Sequence, residues 1–200
     1  MKKTIAIDID DVLADNAAGF VAFSNQKWGT NLRPEDYDEH WAKVWAVDNE
    51  EVERRATSFH ESGVLRTYTH ADSAVPVLKR LSLDYHLIIV TSRRLQVRED
   101  TLEWVHRHYP GIFSDAAIHF AGIWDTIDDQ SIHRTKADVV DALGADILID
   151  DQLKHCQAVV EAGKQAVLFG DYGWNALNVL PAGMVRAADW PAVERYFYDS

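Results

Sequence analysis

The chain has 200 residues, 47% hydrophobic and 26% charged, enough to bury one core or a core with a modest insertion. A formal net charge of -12 without a basic stripe argues against a nucleic-acid polymer as partner, whereas a small phosphorylated ligand held by a metal and a few local cations fits. The single cysteine, Cys156, excludes an internal disulfide and suits a reducing compartment; no apolar stretch reaches membrane-spanning length and Asp8 interrupts the first apolar run, so a cytoplasmic protein with no membrane association is expected.

The first run, Thr4 to Ile9, is β-branched and reads as a buried strand that stops on Asp8-Ile9-Asp10-Asp11. Strand alternation puts Asp8 and Asp10 on one side, at the carboxyl edge where open α/β sheets bind ligands. Like charges so close are costly unless a cation or a shared proton offsets them, so the pair implies a metal, acid chemistry, or both.

Residues 15–71 carry no convincing strand. Phe20, Phe23 and Trp28 lead to Pro34-Glu35-Asp36-Tyr37, then to Trp41 and Trp45, then to a charged helical stretch from Asn49 to His60. The segment is too long for a simple βα connection and reads as an α-helical cap over the strand end. Phe20, Trp41 and Trp45 are candidate substrate contacts there, although aromatics four apart also describe the core of a small helical unit.

Beyond it, helical spacing at Val75, Leu78 and Leu81 precedes a strand from Leu87 to Thr91 that ends in Thr91-Ser92-Arg93, groups suited to phosphate oxygens. A helix marked by Leu102, Val105 and Tyr109 carries His106 and His108, two apart and facing different ways, so no metal site is expected between them. A strand from Ala117 to Phe120 follows, then Asp125, Asp128 and Asp129 in a loop expected to be solvated. Lys136 opens a helix through Val139, Val140 and Leu143 and can set an ammonium beside a carboxylate cluster. The next strand, Ile147 to Ile149, ends in Asp150-Asp151, after which come a helix through Val159 and Val160, a strand from Ala166 to Phe169, a strand-like piece from Met184 to Arg186 and a short helix from Asp189.

Strands alternating with helices predict a three-layer, Rossmann-like α/β core with a mostly parallel sheet, formed by 1–14 and 72–200, with the cap in 15–71. Carboxylates converging from two strand ends make a hard-oxygen site suited to Mg²⁺.

These motifs, in this order, resemble the haloacid dehalogenase superfamily of aspartate-nucleophile phosphatases. Asp8-Ile9-Asp10-Asp11-Val12 is similar to its first motif, Thr91 to its second, Lys136 to its third and Asp150-Asp151 to its fourth. Asp-Val-Leu-Ala-Asp after the first acidic pair, with Thr91-Ser92 and the late Gly170-Asp171-Tyr172-Gly173-Trp174-Asn175, resembles more narrowly the 5'(3')-deoxyribonucleotidase-like family; Asp11 stands where that family often has glycine and Arg93 where it often has proline.

The resemblance implies a Mg²⁺-dependent phosphomonoesterase acting on a nucleoside monophosphate, as monomer or homodimer. In it Asp8 is the nucleophile, Asp10 the acid and base, and Thr91, Ser92, Arg93 and Lys136 surround the phosphoryl group. The metal falls to Asp8, the Asp10 backbone carbonyl and Asp151, with Asp150 behind. A phosphatase for sugar phosphates, a phosphotransferase of the same superfamily and a catalytically silent phosphate binder stay open as alternatives.

Overall fold

The computed structural model describes residues 2–199 except 123–125, 128–129, 132–134 and 178, and leaves undescribed the side chains of 126–127 and 130–131. Asp125, Asp128 and Asp129 therefore lie outside the described residues.

Six strands form one wholly parallel sheet: β1 (Thr4–Ile7), β2 (His86–Thr91), β3 (Ile118–Phe120), β6 (Ile147–Asp150), β7 (Gln165–Phe169) and β8 (Met184–Ala187), in the order β3-β2-β1-β6-β7-β8. Two short backbone segments, β4 (Thr126–Ile127) and β5 (Gln130–Ser131), pair separately in antiparallel fashion. Both faces of the sheet are covered, which is why Ile5, Ala6 and Ile7 are all fully buried and why the strands read as continuous apolar runs. The sheet is Rossmann-like: the chain crosses from β1 to β2 on one side and from β3 to β6 on the other, leaving a crevice beyond the end of β1.

The first strand is shorter than the sequence suggests. It ends at Ile7, although the Asp8 amide still donates to the Ile149 carbonyl at 2.9 Å, so the acidic loop begins one hydrogen bond past the ladder. Helices α4 (Ala74–Asp84), α5 (Arg98–His108), α6 (Lys136–Ala142), α7 (Leu153–Glu161) and α8 (Trp190–Tyr198) follow the expected spacing, with Leu78, Leu81, Val105, Val139 and Val159 buried. None of the helices is long and apolar enough to cross a membrane, among the described residues.

Residues 15–71 contain α1 (Asn16–Trp28), the short α2 (Trp41–Trp45) and α3 (Asn49–Glu61). The two ends of the segment meet in an antiparallel stem: Asp15 donates to the Thr69 carbonyl and Ala71 to the Leu13 carbonyl, both at 2.9 Å. Gly19 on α1 faces the ring of Tyr68 from that stem, and a Cβ there would lie 2.3 Å from it, so the close approach requires glycine.

Candidate active site

The loop after β1 is held by its carbonyls. Tyr172 Oη donates to Asp11 O at 2.9 Å, Trp190 Nε1 to Val12 O at 3.0 Å and Tyr109 Oη to Leu13 O at 2.8 Å. Three aromatic side chains from distant parts of the chain thus fix the backbone beside Asp8, and each satisfies its own buried polar tip. Asp11 has φ of 56°, the left-handed region that explains glycine as the alternative there. Its carboxylate accepts from Ala17 N at 2.9 Å and Asn16 Nδ2 at 3.2 Å, anchoring the start of α1.

Asp8, Lys136 and Asp150 form the centre of the site. Lys136 Nζ lies 2.8 Å from Asp8 Oδ1 and 2.7 Å from Asp150 Oδ2, with all three side chains almost wholly buried. Thr135 caps α6, accepting from Asp138 N, and so starts the helix at the residue whose ammonium reaches the cluster. Burial pushes the Asp8 carboxyl up; Lys136 pulls it back and Asp150 and Asp10 push further, leaving it at about 7. Burial lowers the Lys136 ammonium, but Asp150 and Asp8 outweigh it and hold it above its ordinary value.

Asp8, Asp150 and Asp151 offer oxygens within 4.8 Å of one another. An all-oxygen set of this kind fits a hard divalent cation, which would offset the crowding that, after burial, holds the Asp151 carboxyl well above its usual range. Asp150 has both oxygens engaged, by Lys136 Nζ and by Gln152 N at 2.8 Å. Asp151 accepts from Gln152 Nε2 at 2.8 Å and Trp174 Nε1 at 2.7 Å, both at Oδ2. The donor set therefore fits Asp8 and Asp151 as direct ligands with Asp150 behind them.

The second strand end adds a pairing at Arg93 that the sequence does not reveal. Its guanidinium lines the cavity and also grips Asp10, with Nη2 2.7 Å from Oδ1 and Nε 3.1 Å from Oδ2, while Nη1 reaches Thr101 Oγ1 at 3.4 Å. A planar fork meeting a carboxylate is the geometry that makes arginine–carboxylate pairs strong. Thr91 is fully buried and its hydroxyl accepts from Arg93 N at 3.2 Å, so it shapes the turn. Ser92 lines the cavity, and its Oγ has no hydrogen-bond partner among the described residues.

A cavity of about 390 Å³ lies over these groups. Asp8, Asp10, Lys136 and Asp151 line its floor, and Tyr37, Trp41, Phe59 and His60 from the inserted segment line the opposite wall. Two of the three cap aromatics offered as substrate contacts are corrected by this arrangement. Phe20 is fully buried and Trp45 nearly so; they stack on each other with centroids 5.2 Å apart, Trp45 Nε1 donates to Ser24 Oγ, and neither lines the cavity. Their spacing built the core of the helical segment, and only Trp41 faces the opening. His106 pairs with Asp115 and His108 stacks on His70 at 4.3 Å, so they do not meet, as expected.

Some residues at the site went unread in the sequence, and one run was read as part of the resemblance. His60 and His155 line the cavity, and burial pushes their pKa values down to about 4 and about 3. Lys154 on α7 pairs with Glu39, tying the core to the inserted segment. Trp174 and Asn175 support Asp151, Asn175 Nδ2 donating to the Asp151 carbonyl at 2.9 Å. The run from Gly170 to Asn175 marks the last two in the sequence, where Trp174 reads either as packing under the site or as finishing the core.

The sequence pattern of the 5' nucleotidase, deoxy (pyrimidine), cytosolic type C proteins matches residues 2–197. The chain belongs to this family. Its membership makes it a hydrolase of phosphoric monoester bonds within the haloacid dehalogenase superfamily. A relative of this chain, the "Putative nucleotidase BH1399" of Halalkalibacterium halodurans, is 24% identical over 190 residues, covering 94% of this chain and 89% of its own. Among solved structures, the haloacid dehalogenase-like hydrolase SP0104 of Streptococcus pneumoniae shares the fold with a TM-score of 0.68 at 15% identity, covering 98% of each chain. The D,D-heptose 1,7-bisphosphate phosphatase of B. bronchiseptica, solved with magnesium and phosphate, does so with a TM-score of 0.59 at 16% identity and 98% of each chain.

Proposed function

We propose that the chain is a Mg²⁺-dependent phosphomonoesterase that hydrolyses nucleoside monophosphates through an aspartyl-phosphate on Asp8. The observation that carries the reading is the Lys136 bridge between Asp8 and Asp150 on the floor of a cavity whose far wall is aromatic. A carboxylate held by an ammonium beside two further aspartates is placed to attack phosphorus, and the family's nucleotidase name agrees with an aromatic wall opposite it.

Asp8 would displace the leaving alkoxide in line. Asp10, with 27% of its side chain exposed and its carboxylate oriented by Arg93, would protonate that alkoxide and then accept a proton from the attacking water. Lys136 and the unpartnered Ser92 hydroxyl would stabilise charge on the phosphoryl oxygens. Asp8, the Asp10 carbonyl and Asp151 would hold the divalent cation, which supplies further charge neutralisation when bound. Residues 15–71 would act as a cap, with Tyr37, Trp41 and His60 against the nucleoside and the Lys154–Glu39 pair closing one edge. The volume of about 390 Å³ falls in the usual range for small-molecule sites. The family's cytosolic name and the buried thiol of Cys156 support a cytoplasmic location.

A second reading, a phosphatase for sugar phosphates, is favoured by Glu39, Asn49 and Glu53 on the same cap wall, which suit hydroxyl groups. Phosphate release from a panel of nucleoside monophosphates and sugar phosphates, with and without Mg²⁺, separates the two. Turnover of nucleotides that is Mg²⁺-dependent and lost in Asp8→Asn supports the first; preferential turnover of sugar phosphates overturns the nucleotide assignment alone.

A further inference from the structure

Asp151 is supported far more heavily than a solvent-facing carboxylate needs. Its Oδ2 accepts two hydrogen bonds, from Trp174 Nε1 at 2.7 Å and Gln152 Nε2 at 2.8 Å, which fills that oxygen's two lone-pair directions. Trp174 is itself fixed. Its ring stacks in parallel on Tyr172 with centroids 4.5 Å apart at 8°, and Tyr172 Oη is tied to the Asp11 carbonyl at 2.9 Å. The next residue, Asn175, is buried and holds the Asp151 carbonyl, while Arg186 Nη1 donates to Asn175 Oδ1 at 2.9 Å. From the other side, Tyr37 meets the Trp174 ring edge-on at 5.9 Å, so the inserted segment touches the same support.

We infer that Trp174, with Gln152, is a positioning residue that leaves Asp151 only Oδ1 to offer a metal, and so selects a small octahedral cation over one that favours bidentate carboxylates. This rests on the divalent-cation reading above. Mg²⁺ takes single carboxylate oxygens in near-ideal octahedral geometry, whereas Ca²⁺ accepts both oxygens of one carboxylate in a looser shell. An indole N–H can hold Oδ2 without competing for the metal, and its stack on Tyr172 keeps it from rotating away. Partners behind the ligands of metal sites typically change affinity or activity by ~10–100-fold when removed.

The test is calorimetric titration of the metal-free, full-length protein with MgCl2 and with CaCl2, comparing wild type, Trp174→Phe and Gln152→Leu. Trp174→Phe keeps a ring on Tyr172 and removes only the donor. The expected result is a fall of about 10–100-fold in Mg²⁺ affinity with Ca²⁺ affinity held or raised, so that the Mg²⁺/Ca²⁺ preference drops at least about tenfold. Gln152→Leu should move the preference the same way by a smaller factor, which keeps the inference testable if Trp174→Phe folds poorly. Mg²⁺ affinity unchanged in both variants overturns the inference alone, as does an equal loss for both cations, which marks general damage to the site. A wild type that takes up neither cation overturns the metal reading and this inference with it.

Discussion

Arg93 reaches across from the end of β2 to grip Asp10 in the loop after β1, Nη2 lying 2.7 Å from Oδ1, with the rings of Tyr68 and Trp104 about 6 Å from the guanidinium carbon. The pair spans 83 positions of sequence and joins two strand ends. Its consequence is orientation. Asp10 is held so that its carboxylate stays oriented at the cavity floor, and Arg93 lines the same cavity while it does so. Arg93→Ala is therefore expected to lower kcat by about 10–100-fold, at or below the ~10²–10⁴ a general acid–base supplies, with little change in KM. Arg93→Lys, which keeps the charge but loses the fork, should fall between. Steady-state kinetics on one substrate decide it: a rise in KM with kcat intact would return Arg93 to phosphate binding.

Lys136 provides the second prediction. Removing one member of a buried ion pair leaves the others uncompensated, at a cost of ~3–5 kcal/mol. Lys136→Met leaves Asp8 and Asp150 facing each other without their shared ammonium, so it should prove strongly destabilised when measured by chemical denaturation. Adding Asp150→Asn should recover part of that stability without restoring turnover. Additive losses in the double variant would mean that the two side chains are not coupled.

Stability should depend on pH in a way that a divalent cation partly removes. The carboxyls of Asp8 and Asp11 stand at about 7 against an ordinary 3.8, burial being the first cause for each. A raised value means that the folded state binds protons more readily than the unfolded chain. Their contribution is full below about 4 and is lost as pH rises through about 7. In EDTA, the thermal midpoint should fall over that window, and Asp8→Asn should flatten part of the fall. Millimolar MgCl2 should remove the Asp8 share of it and leave the Asp11 share, because a bound cation favours the ionised form of its own ligand. A metal-free midpoint that rises between pH 4 and 7 would contradict the assignment, provided the histidine contribution is first subtracted.

That contribution has the opposite sign. His155 is pushed down to about 3 and His60 to about 4, in both cases first by burial, against an ordinary 6.5. Both are neutral in the fold, so their contribution is present above pH 6.5 and is lost as pH falls toward those values. Denaturant midpoints of His155→Gln and His60→Gln, measured between pH 7 and 4, should show a smaller loss or a larger gain toward acid than the wild type's. An unchanged acid slope would place the acid sensitivity elsewhere.

What the sequence disclosed and what it hid follow a physical line. Asp8, Asp10, Lys136 and Asp150-Asp151 stand at the ends of elements, where an apolar run breaks into charge, and local pattern exposes such breaks. The partner of Arg93 was hidden because it depends on how β1 and β2 sit side by side, which no local spacing encodes. The same holds for Tyr109, Tyr172 and Trp190, whose polar tips meet carbonyls of one loop from three distant places. The aromatic spacing of Phe20, Trp41 and Trp45 was legible but ambiguous: periodicity gives a face, and tertiary packing decides which members of it reach the cavity.

Trp41 is the member that does, and it carries the last prediction. It lines the cavity on the wall opposite Asp8, its ring 5.5 Å from that of His60, and it is half-buried where Phe20 and Trp45 are sealed. Stacking of a base on an aromatic ring is worth ~1–3 kcal/mol, which corresponds to about 5–150-fold in binding. Trp41→Ala should raise KM for a nucleoside monophosphate within that range, and leave kcat/KM for ribose 5-phosphate or glycerol 3-phosphate nearly unchanged. Because Trp41 also packs on Phe59 at 5.3 Å, Trp41→Phe serves as the control that retains the wall and should keep most of the nucleotide affinity. Equal losses on the nucleotide and the base-free esters would show that Trp41 shapes the cap without touching the base, and would shift the weight of the substrate assignment to the polar wall of Glu39, Asn49 and Glu53.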